Sequence, residues 1–456
     1  MLNANQKIEF TKREPSALLD ALSKLPPYWE NGIWLDSNNR YKVRCIKNLT
    51  SDFRPGFRVT HKHLREYIAA STIVHGFDGW SYLGRAVNAL LVGDHDCARH
   101  LGYYAELRAG MAILASEGVG VFSYEHAVIS ARGKCLQMPP YRKPSAPDRP
   151  RGIGTHVFVW EALEELMTST ASGSLLLEVS SAGGSTLSEW LGHFASVPAL
   201  STQLAADWLR AWGLDIARLA HDRNARNISS YRPTSFTTPR PPDVKTVVDF
   251  VCRLWTICEP TNENPFAVID RLLLRATLQN GFRAAYSNTA KHAKRQFRLR
   301  IESVLTGLQP SIVPGLDWIS YLADFGTHNL DVLVQARGTI GPEQDSGHSI
   351  QVISRAFLLL RVASGTAQRL LRRLPVDDAT RLRLWISEVG IDRALWPLGD
   401  EPTSLSDLWS DSSDAIEELR LNLGSIDSYN DLWKKFPFAA RMLSSYERVG
   451  LWGLGL

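Results

Sequence analysis

Cysteine is scarce in this 456-residue chain: Cys45, Cys97, Cys135, Cys252 and Cys258 are the five, and no two form a Cys-x2-Cys pair. That spacing argues against a zinc ribbon or a disulfide framework and for free thiols in a reducing compartment. Also missing is any run of about 18 apolar residues, so no segment reads as a membrane span. The start, MLNANQKIEFTKREP, has no basic region followed by an apolar core. A cytoplasmic protein without membrane association is the expectation. Charge of one sign is lacking too: 51 Lys and Arg against 47 Asp and Glu leave a net charge of +4, too little for whole-molecule attraction to nucleic acid. There is no Gly-x4-Gly-Lys-Ser/Thr loop, Gly-x-Ser-x-Gly elbow, His-Glu-x2-His helix or Gly-x-Gly-x2-Gly helix start, which removes the enzyme classes built on them. SSAGGST at 180–186 imitates a phosphate loop, but it has no lysine and reads as a turn. His95, Cys97 and His100 do not share one helix face, so no metal site is expected, and no cofactor.

What remains is an ordinary globular composition, 44% hydrophobic and 21% charged, with length enough for two domains. Residues 1–60 mix Pro26-Pro27, Gly32 and Asn38-Asn39 and read as an irregular lead-in. From residue 61 the spacing turns helical. Trp80, Leu83, Ala86, Val87, Leu90 and Leu91 make one apolar stripe, and Leu101, Tyr104, Leu107, Met111 and Leu114 a second. Pro139, Pro140, Pro144, Pro147 and Pro150 then interrupt a basic loop. Thr155 is placed to cap a third helix through Trp160 and Met167, and a fourth runs through Leu204, Trp208, Trp212, Ile216 and Leu219. Pro233, Pro239, Pro241 and Pro242 mark a domain boundary, beyond which helices are expected over 244–258, 265–280, 290–306, 349–374 and 378–389, with a polar loop over 404–413. The expected class is therefore mainly α, with one helical domain over 61–240 and a second over 241–456.

The most specific phrase is Arg226-Asn227-Ile228-Ser229-Ser230-Tyr231, following the fourth amphipathic segment. Four helices and then an Arg-Asn-x3-His-like turn resemble the HEPN superfamily of prokaryotic toxins and antiphage proteins. Tyr103, Tyr104 and Arg108 resemble its second helix, and residues 355–365 are similar to uncharacterised proteins of bacterial defence islands. The likeness covers about 77–235 and departs at one position: Tyr231 stands where the family's motif has histidine. It implies a HEPN-like bundle and a metal-independent endoribonuclease. In such an enzyme the RNA 2′-hydroxyl attacks its own phosphate, a histidine moves protons and an arginine stabilises charge on the phosphoryl oxygens. It also implies a homodimer or a complex with a protein partner. Carried over residue by residue, Arg226 takes the arginine role with Asn227 beside it, and Tyr231 or His221 is left for proton transfer. A phenol does not titrate near neutral pH, so Tyr231 suits donation better than acceptance. His221 serves only if the chain between it and Arg226 folds back. A second interval, Arg151 to His156 with Arg149 upstream, is broken by Gly152 and Gly154, although its basic loop suits phosphate binding.

Between 283 and 300, Lys291, Lys294, Arg295 and Arg298 fall on one helical face with no acidic residue among them, a footprint for the phosphate backbone of RNA or DNA. Arg355, Arg361, Arg369, Arg372 and Arg373 are interleaved with apolar residues and fit the charged edges of a packed helix. Two functions follow: a nucleic-acid-engaging defence or toxin-type endoribonuclease, or a noncatalytic helical scaffold or subunit of a multi-protein antiphage complex. In the second, Arg226 pairs with an acidic neighbour and Tyr231 packs on the core. The apolar residues 451–456 are expected to dock on their own domain or on a partner.

Overall fold

The computed structural model describes residues 2–140, 152–169, 173–194, 205–231, 242–262, 264–285, 291–324, 331–338 and 349–454. It is mainly α-helical, as the periodicity requires. The first 60 residues are not irregular: they form α1 (Ala4–Phe10), α2 (Ser16–Leu22), α3 (Pro26–Trp29) and α4 (Cys45–Asp52). Asn3 and Gln6 close a capping box on α1, and Pro26 opens α3 at a position where a missing N–H costs nothing. The turn residues that suggested a lead-in are helix ends, and Phe10, Leu18, Leu22 and Trp29 are buried.

Next come the long helices α5 (His61–Leu91) and α6 (His95–Ser116), joined through Gly93 in the left-handed region, with Asp94 capping α6. Strands β1 (Val119–Gly120), β2 (Ala127–Ile129) and β3 (Cys135–Gln137) make a small antiparallel sheet in that order. Helices α7 (Thr155–Thr168) and α8 (Gly173–Val179) lead to a hairpin of β4 (Ser181–Ala182) and β5 (Ser185–Thr186), then α9 (Leu187–His193). The expected fourth helix is two. α10 (Ala205–Ala211) stops at Gly213, whose φ of +94° a helix cannot hold, and α11 (Ile216–Tyr231) starts afresh. The Arg226 phrase is therefore the end of α11 and not a turn beyond it.

In the second half, α12 (Val244–Thr256), α13 (Ala267–Ala285) and α14 (Lys291–Leu308) fall on expected helices, and α15 (Trp318–Ala323) and α16 (Asp331–Arg337) are added. The long α17 (Ser349–Leu371) and α18 (Val376–Asp392) also match expectation. The polar stretch 404–413 opens α19 (Leu405–Asn422) instead of forming a loop. Ser404 accepts the Asp407 N–H as its cap while Leu408, Ala415 and Leu419 face the core. Short helices α20 (Tyr429–Lys435), α21 (Pro437–Met442) and α22 (Glu447–Trp452) close the chain.

α17 is the axis on which α5 and α6 pack. Among the described residues it is the one helix long and apolar enough to cross a membrane, yet 94% of its most apolar window is buried inside the protein. Gly79 of α5 permits the close approach, since a Cβ there would lie 2.5 Å from Leu360. The buried cluster runs from Leu2 to Trp452, so packing continues across residue 240. Trp452 is fully buried beside Trp255, which docks the C-terminal segment on the chain's own core. Arg355 and Arg361 do not lie on charged edges. Both are buried, each holding an aspartate with two short bonds: Arg355 with Asp222 at 2.6 and 2.7 Å, Arg361 with Asp270 at 2.8 and 2.7 Å.

Candidate active site

α11 packs against α6 and α7 along a seam in which polar side chains are interleaved with buried Leu219 and Ala225. Asp222, Arg226 and Ser229-Ser230 recur on one face of α11, and Glu106, Tyr103, His100 and Asp96 recur on one face of α6. Ser229 Oγ donates to Asp96 at 3.2 Å, Ser230 Oγ meets His100 Nδ1 at 2.9 Å, and the Arg226 guanidinium lies 5.3 Å from the centre of the Tyr103 ring. The two sequences thus run antiparallel and meet rung by rung.

Arg226 is 9% exposed, and its Nε is buried with no hydrogen-bond partner among the described residues. It rests on the faces of Tyr103 and Tyr104, at 5.3 and 5.7 Å, and no carboxylate among the described residues pairs with it. Ring faces attract a cation but do not neutralise it. Among the described residues, the expected acidic neighbour of this guanidinium is not found.

Two imidazoles flank it. His156, in the first turn of α7, binds Tyr103 through Nδ1 at 3.0 Å, and both His100 and His156 touch Tyr104. Burial, then the Arg226 charge, holds both histidines below their usual range, with Arg223 adding to the effect at His156. Both are therefore neutral near pH 7. Each ring meets a hydroxyl that can donate or accept. Ser230 Oγ stands 2.9 Å from both His100 Nδ1 and the Arg226 carbonyl, and Tyr103, its phenol pushed up to about 12 by burial, keeps its proton and lies 3.0 Å from His156 Nδ1. With Ser230 donating to the carbonyl, His100 carries its proton on Nδ1 and has a lone pair on Nε2; with Tyr103 donating to His156, the His156 proton sits on Nε2.

Beneath the seam lies a closed charge cluster. Glu106, Asp222 and Arg355 are all 0% exposed. Arg355 is committed to Asp222, its Nε standing 3.8 Å from Glu106, and neither Glu106 oxygen has a hydrogen-bond partner among the described residues. Burial, with Asp222 next, drives Glu106 well above the carboxylate range, so it is held as the neutral acid. The pair Asp222–Arg355 fixes α11 one turn before Arg226.

The other sequence-derived residues are placed differently. On a continuous helix five residues turn about 140°, so neither His221 nor Tyr231 shares the face of Arg226. His221 is exposed, and Tyr231 is 80% exposed at the end of α11 instead of packing on the core. Asn227 is half-buried beside the seam. Arg149 and Arg151 lie outside the described residues, as does the Lys291 side chain. Lys294, Arg295 and Arg298 form one wall of a cavity of 690 Å³ whose other side holds Arg275, Tyr321 and Asp324. Arg275 lies over the Tyr321 ring at 5.2 Å and donates to the Asp324 carbonyl at 2.6 Å. Phe297 anchors α14 from beneath, 4.7 Å from Phe282, and is not a stacking platform. His100 and His156 were visible in the sequence only as members of other patterns, a metal-like triplet and an Arg-x4-His interval. The helical register of His100 with Tyr103-Tyr104 was the available signal.

Compared with known proteins, the chain matches no family model, no curated protein and no solved structure.

Proposed function

We propose that the protein is a HEPN-like, metal-independent endoribonuclease of the prokaryotic defence or toxin type, with Arg226, His100 and His156 as its working groups. The observation that carries this reading is a nearly buried guanidinium without a carboxylate among the described residues, flanked by two imidazoles that burial and its charge keep neutral, each meeting a hydroxyl through Nδ1. An RNA phosphodiester supplies the missing anion. Its charge favours protonation of His156, whose Nδ1–H then finds Tyr103 as acceptor. His100 Nε2 takes the proton of the ribose 2′-hydroxyl, the 2′-oxygen bonds to phosphorus, and the bond from phosphorus to O5′ breaks. His156 gives its proton to O5′, leaving a 2′,3′-cyclic phosphate and a 5′-hydroxyl. Arg226 stabilises the charge gathered on the phosphoryl oxygens.

This places proton transfer on α6 and α7 and not on Tyr231 or His221. Incubating the protein with an oligoribonucleotide, with and without chelator, tests it. Chelator-resistant cleavage yielding cyclic phosphate ends is expected, and a strand with 2′-deoxyribose at every position should stay intact. The kcat/KM profile should be bell-shaped, falling on the acid side because a protonated His100 accepts nothing and on the alkaline side because a deprotonated His156 has no proton for O5′. The acid-side midpoint should lie below the ordinary histidine value of about 6.5, since burial and Arg226 depress it.

The α14 wall is proposed as the phosphate-backbone surface that holds the strand. Reversing charge at Lys294 and Arg295 should weaken RNA binding and reduce the slope of log K against log salt by about 1 for each phosphate no longer neutralised, measured by fluorescence anisotropy. The scaffold reading draws on the exposed Tyr231, which leaves the motif's own end without a proton carrier. Protein that shifts RNA or DNA in a gel and never cuts it would establish that reading instead. The family likeness further proposes a homodimer or a complex with a protein subunit, read from the particle mass in solution.

A further inference from the structure

The turn SSAGGST, which has no lysine, forms one edge of a second cavity, of 510 Å³. Gly183 and Gly184, at φ of +59° and +83°, make the tight connection between β4 and β5. A Cβ on Gly183 would lie 2.6 Å from Pro310 and one on Gly184 3.2 Å from Ser311 Oγ, so backbone, not side chain, meets the cavity here. Across from it stand Arg271, on the first turns of α13, and Arg372, just past the end of α17.

These two guanidiniums have no ion pair or hydrogen bond among the described residues. The carboxylate next to Arg271 in sequence, Asp270, is already spent: Arg361 binds both its oxygens, and the Ser181 N–H adds a third bond at 2.9 Å. Thr261, Asn262 and Ser311 add hydroxyl and amide groups, and no described residue of the lining is acidic. The cavity therefore offers two cations and several neutral hydrogen-bonding groups, and its size is that of a small-molecule site.

We propose that this cavity binds a small phosphate monoester carrying a hydroxyl-rich body, of the nucleotide or sugar-phosphate class. Arg271 and Arg372 take the phosphate, whose dianion matches two guanidiniums and their paired N–H donors. Asn262, Thr261 and Ser311 face the body. No described residue of the cavity belongs to α6, α7 or α11, so the site stands or falls independently of the ribonuclease reading.

Calorimetric titration of the full chain with AMP, ribose 5-phosphate, adenosine and inorganic phosphate tests the assignment. At least one of the two esters should bind, and adenosine should not. Arg271→Gln and Arg372→Gln should each weaken ester binding about tenfold or more, with R226M and R298Q leaving it unchanged. Arg271 and Arg372 sit at partly or fully exposed positions, so both variants should keep the wild-type melting temperature. Absence of ester binding at millimolar concentration would overturn the proposal, as would unchanged affinity in both arginine variants. Inorganic phosphate binding as tightly as the esters would remove the organic body from it.

Discussion

Arg226→Met should lower RNA cleavage by about a hundredfold to a thousandfold while the protein stays as stable as before or becomes more so. The two halves of this result have one origin. A buried guanidinium with an unpartnered Nε has lost hydration that no described carboxylate restores, and an unsatisfied buried donor costs about 1–3 kcal/mol. Tyr103 and Tyr104 return part of this through their ring faces, about 0.5–2 kcal/mol. Methionine keeps the aliphatic packing against both rings and drops the charge. The net change in unfolding free energy should thus lie within about 1 kcal/mol of zero, with the sign favouring the variant. Urea unfolding and single-turnover cleavage, run on the same preparation, measure the two quantities. If the unfolding midpoint falls together with activity, Arg226 is a structural residue and the ribonuclease proposal loses its support.

The largest stability effect is expected one turn earlier on the same helix. Asp222→Asn leaves Arg355 as a fully buried cation without its partner, a change that typically costs about 3–5 kcal/mol. Glu106→Gln should behave in the opposite manner. Glu106 is held neutral by burial and by Asp222, so an amide of the same shape resembles the form already present. The pH dependence follows from a folded-state pKa raised above the unfolded one. Below the unfolded value, about 4.3, both states carry the proton and the wild type is at full strength. As pH rises, the unfolded chain ionises and the folded protein does not, so stability falls by up to about 1.4 kcal/mol per pH unit until the folded group also titrates. E106Q has no such proton and should gain on the wild type from pH 5 to pH 8. Denaturant titrations at those two pH values decide it: a constant difference between the proteins would mean that Glu106 is ionised in the fold.

The apolar stripes were legible because burial is one-sided and periodic: Leu83, Val87 and Leu90 on α5, and Leu107 and Leu114 on α6, all face the core. Helices 244–256 and 349–371 were readable for the same reason. Where polar residues cap, pattern alone misreads: Asn3 and Ser404 begin helices in stretches that read as irregular. Gly213 hid a break in a run of well-spaced tryptophans and leucines. Placing Arg226 on a helix face, not in a turn, depended on that break. What joins the two histidines to it was not legible, because His100, His156 and Arg226 are 56 and 70 residues apart along the chain and only the packing of α6, α7 and α11 brings them together. Buried arginines on α17 were misread as well, since a sequence does not reveal that Asp222 and Asp270 will arrive from other helices to neutralise them.

That arrangement on α17 carries a consequence for biosynthesis. The chain emerges from the ribosome with Asp222 and Asp270 made well before Arg355 and Arg361, the guanidiniums that satisfy them. Until about 370 residues have been translated, both acids lack their counterions and can stay hydrated only if their helices remain open. An α11 that took its final seat before α17 is made would bury Asp222 without its counterion.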